Sequence, residues 1–302
     1  QSTDVPTGQG FVKSLKLDIT TAGGVSNANT YTEINYRFEG QDVQSLCYGT
    51  SNAKTVTLSF WVKSPKTGTH WVRLYSADTS KFISRKYTVS SANTWQKVTL
   101  SFPGYTSEAF TYDNTEALRI SWYFAQGSDY SSGTAQADDG GWLNWADASD
   151  RARNTVGQVN CFDSTDNDIY LAGVQLEVGS VATDFEHRTF AQELDLCERY
   201  YQNSYSSGNA PASSTGNING INLLSWGDGN VQGLVFRKRM RAAPSVVLRH
   251  PTGTTTGKVN SSGTERSASA VDINEHKLKY IDVPSGAANS WCAFTYELIS
   301  EL

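Results

Sequence analysis

The 302-residue chain has no apolar run approaching the roughly 20 residues of a membrane-spanning helix, which excludes a helical span. Its opening, Gln1-Ser2-Thr3-Asp4, does not read as a basic-then-apolar leader, and a start on Gln reads as a fragment or a processed product. Basic charge is scarce: 25 Lys+Arg stand against 30 Asp+Glu, a net charge of −5. A mildly acidic chain lacks the basic surface that nucleic-acid phosphates require, so nucleic acid is not an expected partner. The one dense basic run, Arg237-Lys238-Arg239-Met240-Arg241, reads as solvated or partner-facing turn residues.

Cysteine is also sparse. Cys47, Cys161, Cys197 and Cys292 form no CxxC pair and have no His at ligand spacing, which argues against zinc. They read as buried free thiols, suited to assembly in a reducing cytoplasm. No GxSxG, HExxH, Walker loop or GxGxxG occurs, so no familiar catalytic scaffold is signalled. Of the four histidines, His70 alternates with strand residues, His187 sits at a corner, and His250 and His276 read as surface residues. No Ser/His/Asp set follows from spacing.

Aromatic residues, by contrast, are plentiful: 15 Tyr, 12 Phe and 8 Trp. With this length they point to two packed domains rather than disorder. Period-two alternation marks half-buried strands at 12–19, 31–38, 55–62, 70–75, 82–89, 95–102, 118–124 and 169–178. Turn chemistry at Pro65-Lys66-Thr67-Gly68, Ser91-Ala92-Asn93 and Pro103-Gly104 separates several of them. Short strands without intervening helices predict an all-β fold whose first part is an antiparallel jelly-roll sandwich. The polar insertion 126–160 interrupts the rhythm and is long enough to carry function.

The period then changes. Phe190, Leu194, Cys197 and Tyr201 fall on one helical stripe, with Thr189 as N-cap and Gln192 as its capping-box partner. A polar stretch, 203–216, follows. Strands return at 221–226, 231–236, 245–249, 278–283 and 291–298, with a polar hairpin region at 251–265. The expected organisation is a jelly roll over 1–186, a helix and linker over 187–216, and a smaller β-sandwich over 217–302.

Three constellations could carry chemistry. In the insertion, Trp142 and Trp145 lie among Asp138 and Asn144, with Tyr123 and Tyr130 close in sequence. Aromatic planes stack on the C–H faces of sugars while amides and carboxylates bind the hydroxyls, so these six residues are the candidate glycan site. The competing reading makes Trp142 and Trp145 a plug for the end of the sandwich or an oligomer interface. Asp163, Asp166 and Asp168 crowd three carboxylates into six residues. They are the candidates for a structural calcium ion, although EF-hand spacing is missing; otherwise no cofactor is expected. Carboxylate pairs such as Asp147/Asp150 would be needed for polysaccharide hydrolysis, but they sit in turn sequence.

The run from Gly173 to Ser180 (GVQLEVGS), with Ala182-Thr183-Asp184-Phe185-Glu186-His187-Arg188, is followed by Leu196-Cys197-Glu198-Arg199-Tyr200-Tyr201. It resembles a module of bacteriophage tail-fibre and other virion appendage proteins, a carbohydrate-binding-like jelly roll followed by a short helix. Val56–Ser64, Asn93–Lys97 and the strand entry Met240–Val246 fit the same pattern. The resemblance implies a virion protein, assembled in the host bacterial cytoplasm. It also favours a homotrimer in contact with other virion proteins, but it identifies no ligand; a host cell-surface glycan is the partner expected from the Trp142/Trp145 loop. A non-catalytic adhesin is the expected function. The alternatives are a structural spacer, decoration or trimerisation protein without sugar binding, and a polysaccharide depolymerase. Within the motif, Gly173 suits a bulge or a close backbone approach, and Glu186-His187-Arg188 reads as a structural polar corner.

Overall fold

A computed structural model describes residues 1–205, 209, 221–225, 230–252, 255–284, 286 and 289–301. The chain divides into two compact units, Gln1–Glu186 and His187–Glu301.

The first unit contains β1 (Leu15–Leu17), β2 (Tyr31–Glu39), β3 (Val56–Lys63), β4 (Gly68–Ser76) and β5 (Lys81–Val89). These are followed by β6 (Gln96–Phe102), β7 (Glu116–Gln126), β8 (Leu143–Asn144) and β9 (Ile169–Val178). A four-stranded sheet runs β1-β9-β3-β6 and a five-stranded sheet runs β2-β7-β4-β5-β8, with antiparallel neighbours throughout. The chain crosses repeatedly from one sheet to the other, the wiring of a jelly roll. One face of each sheet supplies the shared core: Val56, Leu58, Phe60 and Val62 meet Val72, Leu74, Ile120, Trp122 and Phe124. The alternation in the sequence has this cause: one side of every strand must leave water.

The other face of the five-stranded sheet is not simply wet. The insertion 126–160, which carries α1 (Ser128–Ser131) and α2 (Ala148–Arg151), folds over part of it. Gln136 Oε1 accepts from the Ser84 amide, Asn154 Oδ1 accepts from the Ser84 hydroxyl, and Trp71 Nε1 donates to the Val156 carbonyl. Trp71 and Phe82 are therefore fully buried, on the sheet's outer side.

The motif around β9 is a clasp. Gly173 has φ +56°, and the Phe11 ring occupies the place where a side chain would stand. The partner strand shifts register there, between Ser59 and Trp61. Both expectations for this glycine hold at one residue. Gln175 then donates to the Asp184 carbonyl and accepts from the Glu186 amide. Glu177 accepts from the Thr183 amide and hydroxyl. Phe185 packs edge-on against Phe11.

The second unit begins with α3 (Phe190–Cys197), which has the expected capping box between Thr189 and Gln192. Its strands are β10 (Tyr201–Asn203), β11 (Ile221–Leu224), β12 (Val231–Gln232), β13 (Ser245–Arg249) and β14 (Lys258–Ser261). β15 (Thr264–Ser267), β16 (Ser269–Ile273), β17 (Leu278–Asp282) and β18 (Trp291–Ile299) complete it. β18 is the hub, pairing with β10, β11, β13 and β14; a second sheet runs β12-β17-β16. Val231, Leu248, Val259, Ile281, Phe294 and Leu298 pack between them.

Several readings are corrected here. The first strand shortens from 12–19 to Leu15–Leu17: Phe11 packs on Gly173, Val12 is exposed, and Ser14 bridges to Ser2 instead. The basic run is solvated in part, as expected, with Arg237 and Arg239 exposed, but it is also engaged within its own unit. Arg237 pairs with Glu198, Lys238 with Asp195 and Arg239 with Glu275, while Arg241 donates to the Ser300 and Glu301 carbonyls. Met240 is buried beside Gln202. The four cysteines are free, but only Cys161 and Cys292 are buried; Cys197 lies exposed on α3, a helix with no buried residue. Trp226 and most of the 203–216 stretch lie outside the described residues.

Candidate functional site

The site is built on the outer face of the five-stranded sheet, where period two sets the residues. In β4, Trp71, Arg73 and Tyr75 share that face; β7 contributes Arg119, Ser121 and Tyr123 opposite Glu33 and Arg37 of β2. A register shift between Thr32 and Glu33 adjusts the β2 ladder beside Glu33. The insertion covers the β5 side; Trp71, Arg73, Ser121 and Tyr123 are buried, while Tyr31, Asn35, Arg37, Tyr75 and Arg119 keep accessible surface.

Its floor is an ion pair. Arg73 Nη2 donates to Glu33 Oε2 at 3.2 Å, with side-chain exposures of only 4% and 8%. Arg73 also reaches Ser121 Oγ, and Asn35 donates to the other Glu33 oxygen. Three polar atoms on this floor, Arg73 Nε, Tyr123 Oη and Asn154 Nδ2, are fully buried and make no well-formed hydrogen bond, although the Tyr123 hydroxyl lies beside Asn154 and Glu33. An unmet buried donor costs about 1–3 kcal/mol, so such a cluster calls for an explanation. Burial pushes the Tyr123 hydroxyl far above the ordinary tyrosine range, so it remains a protonated donor.

Above the floor runs an arc of four rings. Tyr31 meets Tyr130 edge-on at 5.4 Å, Tyr130 stacks on Trp145 at 5.6 Å and 9°, and Trp145 meets Tyr75 edge-on at 6.0 Å. The Arg73 guanidinium lies over Trp145 at 4.5 Å and over Tyr75 and Tyr123 at 5.2 and 5.1 Å. Each arc ring is partly accessible, and Tyr31 is half exposed. Trp145 is fixed from behind: its amide donates to the Ser80 carbonyl and its carbonyl accepts from Arg151 on α2. Asp147 caps α2 by accepting from the amides of Ser149 and Asp150.

Of the six residues singled out in the sequence, the fold brings Trp145 and Tyr130 together. Tyr123 belongs to the floor, buried, rather than to a contact surface. Trp142 is a plug: its ring packs against Tyr48 and Tyr105, and its Nε1 donates to the Pro103 carbonyl. Asn144 is used by the turn, its amide donating to Asp150 and its side chain accepting from Ala146. Asp138 is exposed beside Lys86, on a loop that Arg85 holds through the Ala137 and Gly140 carbonyls. The sequence reading missed Arg73, Glu33, Tyr75, Tyr31 and Asn154. The alternation His70–Tyr75 does put Arg73 and Tyr75 on one face, but which strands flank them is set by pairing.

The acidic cluster does not converge. Asp163 pairs with Lys66 and accepts from Asn167, Asp168 pairs with Lys16, and Asp166 is exposed in its turn. Among the described residues no three His, Cys, Asp or Glu side chains are placed to hold a metal ion. Each carboxylate already has a lysine or a turn to serve. An apolar groove in the second unit, lined by Val246, Leu248, Ala268, Ala270 and Ile273, holds no charged side chain.

No family model and no curated protein matches the chain. Among solved structures it is similar to one titled "CBM4 structure and function", at 15% identity and a TM-score of 0.25, over 54% of this chain and 70% of that one. It is also similar to wild-type discoidin II from Dictyostelium discoideum, at 9% identity and a TM-score of 0.22, over 99% and 86%. Similarities this faint carry no argument about a ligand, and the site rests on its own geometry.

Proposed function

We propose that this chain is a phage virion protein, of a tail fibre or another appendage, whose first unit binds a glycan of the host cell surface without catalysis. The observation that carries the reading is the partly accessible ring arc Tyr31–Tyr130–Trp145–Tyr75, held in place by the buried Arg73–Glu33 pair beneath it. Accessible rings supply the flat apolar contact that sugar faces stack on. Hydrolysis is disfavoured by the carboxylates. Glu33 and Glu116 are the acids of this face, and both are held in ion pairs. Six residues of ladder separate their positions, roughly 20 Å at ~3.3 Å per residue, whereas glycosidase pairs stand about 5–9.5 Å apart.

A glycan array probed with the wild type, Trp145→Ala and Trp142→Ala tests this. Binding that is lost with Trp145→Ala and kept by folded Trp142→Ala supports the site. No retention of host polysaccharide by the wild type overturns the adhesin reading. It would leave the second reading, a structural virion protein, which the clasp favours because the motif carrying the resemblance serves packing. A homotrimer accompanies either reading. Its support is α3, an eight-residue helix that keeps Phe190, Leu194 and Leu196 exposed. So short a helix is marginal alone in water. Light scattering giving a monomer at micromolar concentration would count against the trimer.

A further inference from the structure

We infer that the second unit carries a subsite of its own, on the outer face of its hub strand, where the exposed ring of Trp291 receives one pyranose unit of the same surface glycan; the inference rests on the glycan-binding reading above. Trp291 opens β18 and is 62% exposed, beside Leu224 at 53%. The strand is paired along both edges at this point. Leu224 of β11 stands directly opposite Trp291, and on the other edge the Trp291 carbonyl accepts from the Ser262 amide, just past β14. Period two separates the ring from the core: Cys292 and Phe294 are fully buried, while Trp291 and Ala293 share the outer face. An indole carried by such a strand is held in place before a ligand arrives, so little ordering entropy opposes stacking.

The adjoining row of the face supplies the polar part. Ala293 lies between Asn222 of β11 and Asn260 of β14, so the smallest side chain of the row is flanked by two amides. Asn260 accepts from the Gly263 amide through Oδ1, which leaves its NH2 group to donate. Beyond Ala293, Thr295 is buried, with the Tyr205 hydroxyl 3.0 Å from its Oγ1. A flat indole, a shallow alanine and two amides match a sugar ring, whose C–H face stacks while its hydroxyls take the amide hydrogen bonds. A second copy of the chain is a poorer match. Trp291 and Leu224 expose at most a few hundred Å², on the scale of about 150–250 Å² for a whole aromatic side chain, whereas a stable interface takes about 800 Å² from each partner. A single ring binds a sugar weakly, so the subsite contributes by lengthening the hold on a polysaccharide already bound by the first unit.

The test incorporates fluorotryptophan into the full chain, assigns the Trp291 and Trp145 fluorine resonances from Trp291→Phe and Trp145→Phe, and titrates gluco-, manno-, galacto- and N-acetylglucosamine hexasaccharides. The Trp291 resonance is expected to shift with the same hexasaccharide that moves Trp145, at a higher concentration. Trp291→Ala is expected to leave the solution affinity unchanged and to shorten retention on immobilised polysaccharide by about tenfold or more. The Asn222→Ala/Asn260→Ala double variant keeps the ring and is expected to weaken the Trp291 response, which guards against a folding artefact in the first variant. A Trp291 resonance that stays fixed while Trp145 moves overturns the inference and leaves the site of the first unit intact. Unchanged retention of folded Trp291→Ala also overturns it. So does a loss of oligomeric mass in that variant by light scattering, which would make the patch a contact between copies. If neither resonance moves with any hexasaccharide and the host polysaccharide is not retained, the glycan-binding reading falls, and this inference with it.

Discussion

At the scale of single residues, the two tryptophans of one loop have been given opposite tasks. Trp142 closes the core against Tyr48 and Tyr105, while Trp145 stands in the open arc over Arg73. Trp142→Ala is expected to cost about 3 kcal/mol, the lower end for a large aromatic truncation, read as a lowered urea midpoint. Trp145→Ala should lower the midpoint less and abolish sugar retention. If the two variants lose stability and binding in parallel, the division of labour is wrong. His70 offers a second test. Its ring is buried, its Nε2 lies 3.0 Å from the Lys66 carbonyl, and its Nδ1 has no partner. A carbonyl only accepts, so Nε2 carries the proton and the ring is neutral. Burial, slightly opposed by the Lys66 carbonyl, holds its pKa below the usual histidine value. The unfolded chain then takes up a proton that the folded chain refuses as pH drops below about 6.5. Stability should therefore fall on acidification through that range, by at most about 1.4 kcal/mol per pH unit from this residue. His70→Phe should flatten the profile between pH 6.5 and 5; an unchanged slope would remove His70 as the cause.

At the scale of elements, β9 and the segment after it behave as one device. Gly173 admits the Phe11 ring, and Gln175 and Glu177 fasten residues 183–186 back onto the strand. The Gln175→Ala/Glu177→Ala double variant should leave the β3–β9 ladder intact and release that return segment. Hydrogen exchange at Glu186, whose amide donates to Gln175, should quicken well before exchange in β3. Uniform exchange across both would refute the clasp. This element also shows what the sequence could and could not disclose. Period two placed β3, β4, β5 and β9 within a residue or two of their limits, because each has a face that must leave water. The capping box of α3 was legible for a similar reason: its partners are three residues apart. The floor of the site was not. Arg73 and Glu33 are 40 residues apart, and only the β2-β7-β4 order brings them together. Nor could composition tell Trp142 from Trp145, since the neighbour of each is chosen by the fold of the insertion. The partners of the acidic run were not legible either, because its lysines, Lys16 and Lys66, come from remote segments.

At the scale of the whole molecule, the two units have separate cores. Every residue of the arc and its floor belongs to Gln1–Glu186, which packs its own sandwich. The exposed stripe of α3 belongs to the other unit. Under the proposed function, intrinsic recognition and multiplication of contacts are therefore separable. Residues 1–186 alone should fold, and should bind a soluble oligosaccharide with the affinity of the full chain. On a dense polysaccharide surface the full chain should be held far longer, because linked sites can gain about 10²–10⁴ in avidity without any new contact. Surface plasmon resonance on immobilised polysaccharide, beside calorimetry in solution, separates the two quantities. Equal retention of fragment and full chain would mean that the second unit contributes no multivalency. A fragment that folds but fails to bind soluble sugar would mean that the arc is not the whole of the site.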